Sequence, residues 1–223
     1  MTADQSSGFV VQALACRRGG RPVLMDVSFA VPPGGALQVT GRNGAGKSSL
    51  LRVLAGLCPP AQGTMHLAGV AFDAEPAGYR RLVGLLGHDA AIKLTETPLE
   101  TLTFWAAYGG ADGVVGARPP HANPSDALHA VGLADMADLP VRYLSSGQRR
   151  RLGLARLLVR GNPLWLLDEP AVGLDEAAIA QLGAVIDAQR AAGGIVVAAT
   201  HVDFGLTGAS RLALAPAGAE MAA

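Results

Sequence analysis

The most informative stretch of the sequence reads Gly41-Arg42-Asn43-Gly44-Ala45-Gly46-Lys47-Ser48, with Ser49 next. It matches the pattern G-x-x-x-x-G-K-S/T and lies between a β-prone run, Ala36–Thr40, and a helical pattern, Lys47–Leu57. Glycines allow such a loop to curl until its backbone N–H groups point inward, and the start of the following helix adds its positive dipole end. The pattern therefore predicts a loop that binds the phosphates of a nucleoside triphosphate.

Two side chains of this loop carry separate predicted roles. Lys47 supplies a mobile positive charge to the outer phosphates, and the Ser48 hydroxyl is a ligand for Mg²⁺. The loop predicts the ligand but not the class of protein that uses it. That distinction depends on the second half of the chain.

Acidic residues follow a strongly apolar predicted strand, Leu164–Leu167. In a parallel sheet, ligands gather outside the carboxyl ends of the strands, so Asp168 and Glu169 are expected beside the phosphates. Asp168 suits a carboxylate that binds Mg²⁺ directly or through a water ligand of the ion, and Glu169 suits a base that polarises the attacking water. His201 comes after another predicted strand, Ile195–Ala199, and is expected to sense the γ-phosphate.

Strands and helices alternate in the last third of the chain, which indicates an α/β fold with a parallel sheet. Further predicted strands are Phe9–Leu14, Val23–Val31 and Thr64–Phe72. Three helices are predicted in the middle of the chain. The first is capped by Thr97 and runs through Tyr108, the second is short and capped by Ser125, and the third is Ser146–Arg160. A further helix, Asp175–Ala191, is predicted in the last third. The middle helices are expected to form an insertion into the sheet.

Composition excludes some classes of partner. Lys and Arg together number 18, as do Asp and Glu, and no basic stripe is visible, so nucleic acid is not the expected partner. Cys16 and Cys58 lie far apart and predict free thiols in a reducing compartment. No apolar run has the length of a membrane span, and the N-terminus lacks a signal-peptide pattern, so a cytoplasmic protein is expected.

The segment Leu144-Ser145-Ser146-Gly147-Gln148 resembles the signature of the ABC ATPases, which is usually Leu-Ser-Gly-Gly-Gln. Ser146 replaces the first glycine of the pair. The resemblance implies one P-loop NTPase domain over residues 1–223, with a mixed sheet core, an N-terminal antiparallel β lobe and an inserted helical lobe. The core would cover about 9–88 and 161–215, and the helical lobe about 89–160.

The same resemblance implies that the active sites are shared between two copies of the chain. In the family, residues matching Leu144–Gln148 contact the ATP held by the opposite subunit of a homodimer. The segment Ala171–Asp175 looks like the loop that crosses this interface, with Asp175 at its end. Loss of the γ-phosphate would remove contacts to Ser145 and open the dimer, and the helical lobe would transmit this movement to a multi-spanning membrane permease.

Two positions depart from the family pattern. His88 stands where most members place a glutamine, so it is a candidate catalytic residue that titrates near neutral pH, or it merely fills a loop. No aromatic residue lies near the first turn to stack on adenine. The Arg18 guanidinium is a candidate platform there, and a solvated turn arginine is the alternative.

The segment Leu86–Lys93 further resembles the haem-exporter ATPases of cytochrome c maturation, with Ala91 where they carry glycine. This resemblance implies ATP-driven haem export, or release of a haem-loaded chaperone, through membrane partners of the CcmB and CcmC type. It also implies a peripheral location at the cytoplasmic face of the inner membrane. Alternatives are the ATPase of a drug, lipid or amino-acid exporter, a soluble ABC protein, and a P-loop kinase or GTPase.

Overall fold

Two β-sheets and the helices around them make up this computed structural model, which describes residues 8–87, 92–108, 122–202 and 204–215. The strands are β1 Phe9–Arg18, β2 Arg21–Val31, β3 Ala36–Thr40, β4 Gln62–Leu67, β5 Val70–Ala71, β6 Val83–Leu86, β7 Leu164–Asp168, β8 Ile195–Ala199 and β9 Ser210–Ala213. The α-helices are α1 Lys47–Leu54, α2 Pro76–Leu82, α3 Pro98–Ala107, α4 Pro124–Ala130, α5 Ser146–Arg160 and α6 Glu176–Ala191.

The first sheet is antiparallel and has the strand order β2-β1-β4-β5. The predicted strand Thr64–Phe72 is a hairpin in the structure, because Ala68 and Gly69 both have positive φ angles, of 49° and 80°. Two successive residues in this conformation make the tight turn that joins twisted antiparallel strands. The first sheet thus provides the predicted N-terminal antiparallel lobe.

The second sheet has the strand order β6-β7-β8-β3-β9, and all its pairs are parallel. Its register aligns Asp168 with Ala199 and Ala199 with Val39, so β7, β8 and β3 end at one edge. The predicted α/β fold is therefore confirmed. One detail differs: in the described residues, parallel and antiparallel pairs lie in separate sheets rather than in one mixed core sheet.

Helix α1 packs against the core with Leu50, Leu51 and Leu54, all of which are buried. The predicted helix extends to Leu57, but α1 ends at Leu54 and Leu57 is 63% exposed. Ala55 and Gly56 terminate it, the latter with a positive φ of 68°. The apolar face of α1 is consequently shorter than its leucine spacing suggests.

Helices α3, α4 and α5 pack against one another. Thr97 caps α3 in a reciprocal arrangement with Glu100, as predicted, and α5 has the predicted bounds. Helix α4 is capped by Asn123 and not by Ser125, because Pro124 occupies the first helical position. These helices lie in the predicted helical lobe, whose limits of about 89–160 stay a prediction.

Candidate nucleotide-binding and hydrolysis site

The loop between β3 and α1 is curled around glycines that adopt left-handed backbone conformations. Gly44 has a φ of 82° and Gly46, the residue before the helix, a φ of 98°. The Ala45 N–H donates to the Arg42 carbonyl over 3.0 Å, and Lys47 Nζ donates to the Gly41 carbonyl over 2.8 Å. The Lys47 amine therefore lies over its own loop, where an incoming phosphate can replace the carbonyl as its partner.

Gly41 is required for a steric reason. Its φ is 148°, and a Cβ atom built on it would lie 2.7 Å from the Leu214 carbonyl oxygen. Any larger residue would force the loop away from the segment after β9. The first glycine of the loop pattern thus allows the loop to pack closely against the segment that follows β9, at the edge of the parallel sheet.

A cleft of about 490 Å³ opens beside this loop. The residues that line it are Arg18, Val23, Asn43, Gly44, Gly46, Lys47, Ser48, Ser49, Asp168 and Glu169. Most of the predicted phosphate, metal and catalytic residues are therefore brought together. Gly41, Arg42, Ala45 and His201 are not among the lining residues, and Val23 lines the cleft although nothing in the sequence singled it out.

Glu169 has an unusual backbone and a half-satisfied carboxylate. Its φ is 50°, a left-handed value that residues with a Cβ rarely adopt, and its N–H donates to the Ala199 carbonyl over 2.8 Å. One carboxylate oxygen, Oε1, lies 3.0 Å from His201 Nδ1. The other, Oε2, is buried and has no hydrogen-bond partner among the described residues. That oxygen is therefore a buried acceptor whose hydrogen-bonding capacity is unused among these residues.

The residues at the cleft fit a magnesium–nucleotide ligand. Ser48 and Asp168 offer the hydroxyl and carboxylate oxygens that Mg²⁺ prefers, and Lys47 offers a cation to phosphate. Asp168 is only 8% exposed, so a cation nearby would offset the cost of burying its charge. Phosphate oxygens would complete the coordination.

The two arginines of the first turn differ in their surroundings. Arg17 donates to the Gly20 carbonyl through Nε, over 3.2 Å, and through Nη2, over 2.9 Å. Arg18 lines the cleft instead. The candidate platform for adenine is therefore at the site, and its neighbour stabilises the turn.

The segment Leu144–Gln148 forms the start of α5. The Ser145 hydroxyl accepts from the Gln148 N–H over 3.2 Å, and Gln148 Oε1 accepts from the Ser145 N–H over 2.7 Å. Ser146 is exposed, whereas a Cβ on Gly147 would lie 3.0 Å from the Gly173 carbonyl oxygen. Serine is thus tolerated at the first glycine position of the family pattern, and the second position is close-packed. None of Leu144–Gln148 lines the cleft described above.

Sequence reasoning gave no role to Arg150, which binds the turn that carries the acidic residues. Its guanidinium donates to the backbone carbonyls of Asp168, Glu169 and Pro170. One signal was present: Arg150 precedes the buried Leu154 by one helical turn, so it lies on the inner side of α5. Within the arginine run 149–151, nothing else in the sequence marks this residue.

Asp175 caps α6, because its carboxylate accepts from the Ala178 N–H over 2.8 Å. Val172, in the same connection, is 44% exposed. The loop is therefore accessible to a second copy, while Asp175 itself has a structural partner in its own chain. His88 lies outside the described residues.

Comparison with known proteins assigns the chain to a family. Residues 24–172 match the model of a family described as "ABC transporter". The chain belongs to the ABC transporter family. ABC ATPases bind and hydrolyse ATP, and this chain has the same activity. The predicted identification with ABC ATPases is confirmed.

Similar ABC proteins come from several bacteria. The chain is 45% identical over 213 residues to a protein of Paramagnetospirillum magneticum named cytochrome c biogenesis ATP-binding export protein CcmA, covering 93% of this chain and 94% of that one. A protein of the same name from Rhodospirillum rubrum is 45% identical, with 92% and 85% covered. These names agree with the predicted branch of the family.

Solved structures of ABC cassettes share the fold. A structure titled as the ATP-binding subunit of an ABC transporter has a TM-score of 0.74 at 27% identity, with 87% of this chain and 80% of that chain covered. An ATP-binding cassette solved as a dimer in a post-hydrolysis state, bound to ADP and Pi, has a TM-score of 0.75 at 21% identity, with 92% and 94% covered. The latter likeness concerns the fold alone.

The helices were also compared with what a lipid bilayer requires. None of those in the described ranges has the length and apolar character that a membrane-spanning helix needs.

Proposed function

We propose that this chain is the ATP-hydrolysing subunit of an ABC complex for cytochrome c maturation, which exports haem or releases a haem-loaded chaperone. The observation that carries the proposal is the 45% identity, over nearly the whole of both chains, to proteins named for ATP-dependent export in cytochrome c biogenesis. The resemblance of the segment Leu86–Lys93 to haem-exporter ATPases supports the same substrate.

Within one chain, the loop 41–49 holds the phosphates of ATP. The Lys47 amine exchanges the Gly41 carbonyl for the outer phosphates, and the N–H groups at the start of α1 donate to phosphate oxygens. Ser48 and Asp168 would hold Mg²⁺, and the ion would supply positive charge beside the phosphates during hydrolysis. Arg18 lies against the adenine ring.

Glu169 acts as the base that orients and polarises the attacking water. Its carboxylate, whose Oε2 has no partner among the residues described, accepts a hydrogen bond from this water. His201 holds Oε1 and contacts the γ-phosphate when ATP is bound. His88 joins them as a candidate from outside the described residues. Water attacks phosphorus in line with the departing ADP oxygen.

A second copy of the chain completes each site. Leu144–Gln148 does not line the cleft of its own chain, and the exposed Ser145 and Ser146 lie at a helix start that suits an anion. In a head-to-tail homodimer this segment contacts the ATP of the partner, and the connection before Asp175 crosses the interface. ATP thus holds the dimer together, and hydrolysis releases it.

The membrane partner, of the CcmB and CcmC type, keeps the chain at the cytoplasmic face of the inner membrane. An exposed apolar surface, made of Phe104 and Tyr108, is the proposed contact. These residues are 51% and 69% exposed, and their aromatic rings are stacked with centroids 5.6 Å apart. Exposed apolar surfaces of this kind mark protein interfaces.

The test is deletion of the gene in its host, followed by haem staining of c-type cytochromes. We expect their loss, restoration by the wild-type gene, and no restoration by the variant Glu169→Gln. Normal c-type cytochromes after deletion would contradict the proposed pathway and favour another exporter. Purification of the chain from membranes identifies the partner, and a double variant Phe104→Ser/Tyr108→Ser is expected to recover less of it.

A further inference from the structure

Arg150 connects two parts of the molecule that have different proposed roles, the signature helix and the catalytic turn. It belongs to α5, the helix that begins at the signature segment, and its guanidinium binds the turn that follows β7. Nε donates to the Pro170 carbonyl over 3.2 Å, and Nη2 donates to the carbonyls of both Asp168 and Glu169. The Arg150 side chain therefore donates hydrogen bonds to the carbonyl groups of three consecutive residues in the catalytic turn.

Such convergence of carbonyls requires a bent backbone. In an extended strand, successive residues face opposite sides, so adjacent carbonyls do not point to one donor. The left-handed conformation of Glu169, with a φ of 50°, breaks this alternation directly after β7. A planar guanidinium presents several N–H donors in a fixed fork, and this geometry suits the cluster of acceptors.

The electrostatic surroundings are consistent with this contact. Burial lowers the pKa of Arg150, and the negative charges of Asp168 and Glu169 oppose that shift. The cation therefore also lies near the carboxylates of the turn whose backbone it binds. Removing it would leave carbonyl groups of a largely buried turn without this donor, which costs more than the loss of an exposed hydrogen bond.

The position of the Glu169 carboxylate depends on this turn. Among the described residues, its side chain contacts His201, whose own side chain is 71% exposed and therefore provides a weak restraint. The backbone of Glu169 must consequently fix where the carboxylate lies. A displacement of about 1 Å at a reacting group can reduce a rate by about a hundred-fold.

We infer that Arg150 is a positioning residue for ATP hydrolysis, which holds the Glu169 backbone in the conformation that directs its carboxylate at the attacking water. This inference rests on the proposed role of Glu169. Because α5 begins at Ser145, the same contact fixes the catalytic carboxylate relative to the surface that binds the partner's nucleotide. Arg150 thus connects the residue proposed to activate water with the segment proposed to contact the partner's ATP.

The neighbouring Arg151 provides a matched control. It lies on the same helix and also donates to backbone carbonyls, those of Val131 and Gly132, over 3.0 and 3.1 Å. These acceptors lie at the end of α4, away from the catalytic turn. Substituting Arg151 tests the general effect of losing an arginine–carbonyl contact from α5.

The experiment compares steady-state ATP hydrolysis by the full-length wild type, Arg150→Met, Arg150→Lys, Arg151→Met and Glu169→Gln, with Tm measured for each. Arg150→Met keeps an apolar stem and is expected to lower kcat by at least ten-fold, with KM for ATP changed by less than three-fold. Arg150→Lys keeps a charged donor without the fork, so we expect a partial recovery of kcat. Arg151→Met is expected to keep kcat within two-fold of the wild type.

The outcomes separate this inference from the proposed function. Wild-type kcat in Arg150→Met, or equal losses of kcat and Tm in Arg150→Met and Arg151→Met, would overturn the positioning role. If Arg150→Met does not fold, wild-type kcat in Arg150→Lys would overturn it instead. Wild-type hydrolysis by Glu169→Gln would contradict the role of Glu169 itself, whatever Arg150 does.

Discussion

Lys47 is the proposed cationic partner of the outer phosphates of ATP. Its amine is 2.8 Å from the Gly41 carbonyl and lines the cleft. A hydrogen bond between charged groups contributes about 1.5–3 kcal/mol, so Lys47→Ala should weaken ATP binding by about ten- to a hundred-fold. Fluorescence titration with a labelled ATP analogue measures this change. Arg52→Ala, which removes an exposed cation from the same helix, is the control; equal affinity in both variants would refute the phosphate-binding role.

Arg18 and Arg17 allow the adenine platform to be tested with adjacent residues. Arg18 lines the cleft, whereas Arg17 donates to the Gly20 carbonyl. A guanidinium stacked on a ring contributes about 0.5–2 kcal/mol, so Arg18→Ala should weaken ATP binding by about two- to thirty-fold. Arg17→Ala should leave it nearly unchanged. Isothermal titration calorimetry distinguishes the two variants, and a larger loss in Arg17→Ala would contradict the assignment.

The start of α4 shows how one residue at a helix end can be tested against its neighbour. The Asn123 side chain accepts from the Asp126 N–H over 2.9 Å. Losing such a cap costs about 1 kcal/mol, so Asn123→Ala should lower the free energy of unfolding by that amount. Ser125→Ala should change it by less than about 0.5 kcal/mol, because Ser125 is exposed inside the first turn. Urea denaturation compares them, and the reverse order of stabilities would favour the original prediction of a Ser125 cap.

Several elements were predictable from sequence because local signals and tertiary packing agree on them. β3, β8 and α5 have the predicted bounds. Each begins or ends at a residue whose preference for strand or helix-cap positions agrees with the observed element. The cap of α4 was also encoded, since proline at the first helical position makes the preceding residue the cap. Ser125 is a favourable cap residue by type, but it follows Pro124 and so lies inside the helix.

Other elements were missed because their local signals are weak. β6 is short and includes Gly84, and β9 is mostly exposed, so neither shows an alternating or long apolar pattern. Both are strands because they pair with longer neighbours, β7 and β3. Likewise, the cleft residues with side-chain chemistry were predictable, whereas Arg150 was not, because its partners are backbone carbonyls.

The proposed division of each active site between two copies rests on where the parts lie in one chain. Lys47, Ser48, Asp168 and Glu169 share one cleft, and no residue of Leu144–Gln148 lines it. The proposed homodimer, with ATP at its interface, accounts for both the cleft and the exposed helix start. In such a dimer, affinity between subunits depends on the nucleotide.

Glu169→Gln is expected to trap this dimer. The amide retains the size of the side chain but cannot accept a proton, so ATP should remain bound and hold the subunits together. Size-exclusion chromatography with light scattering, in ATP and Mg²⁺, should show twice the mass of the 22.7 kDa chain. The double variant Lys47→Ala/Glu169→Gln should remain monomeric under the same conditions, because it binds ATP weakly. A monomeric Glu169→Gln at saturating ATP would rule out ATP as the element that joins the two chains, and a dimeric double variant would show that the chains associate without it.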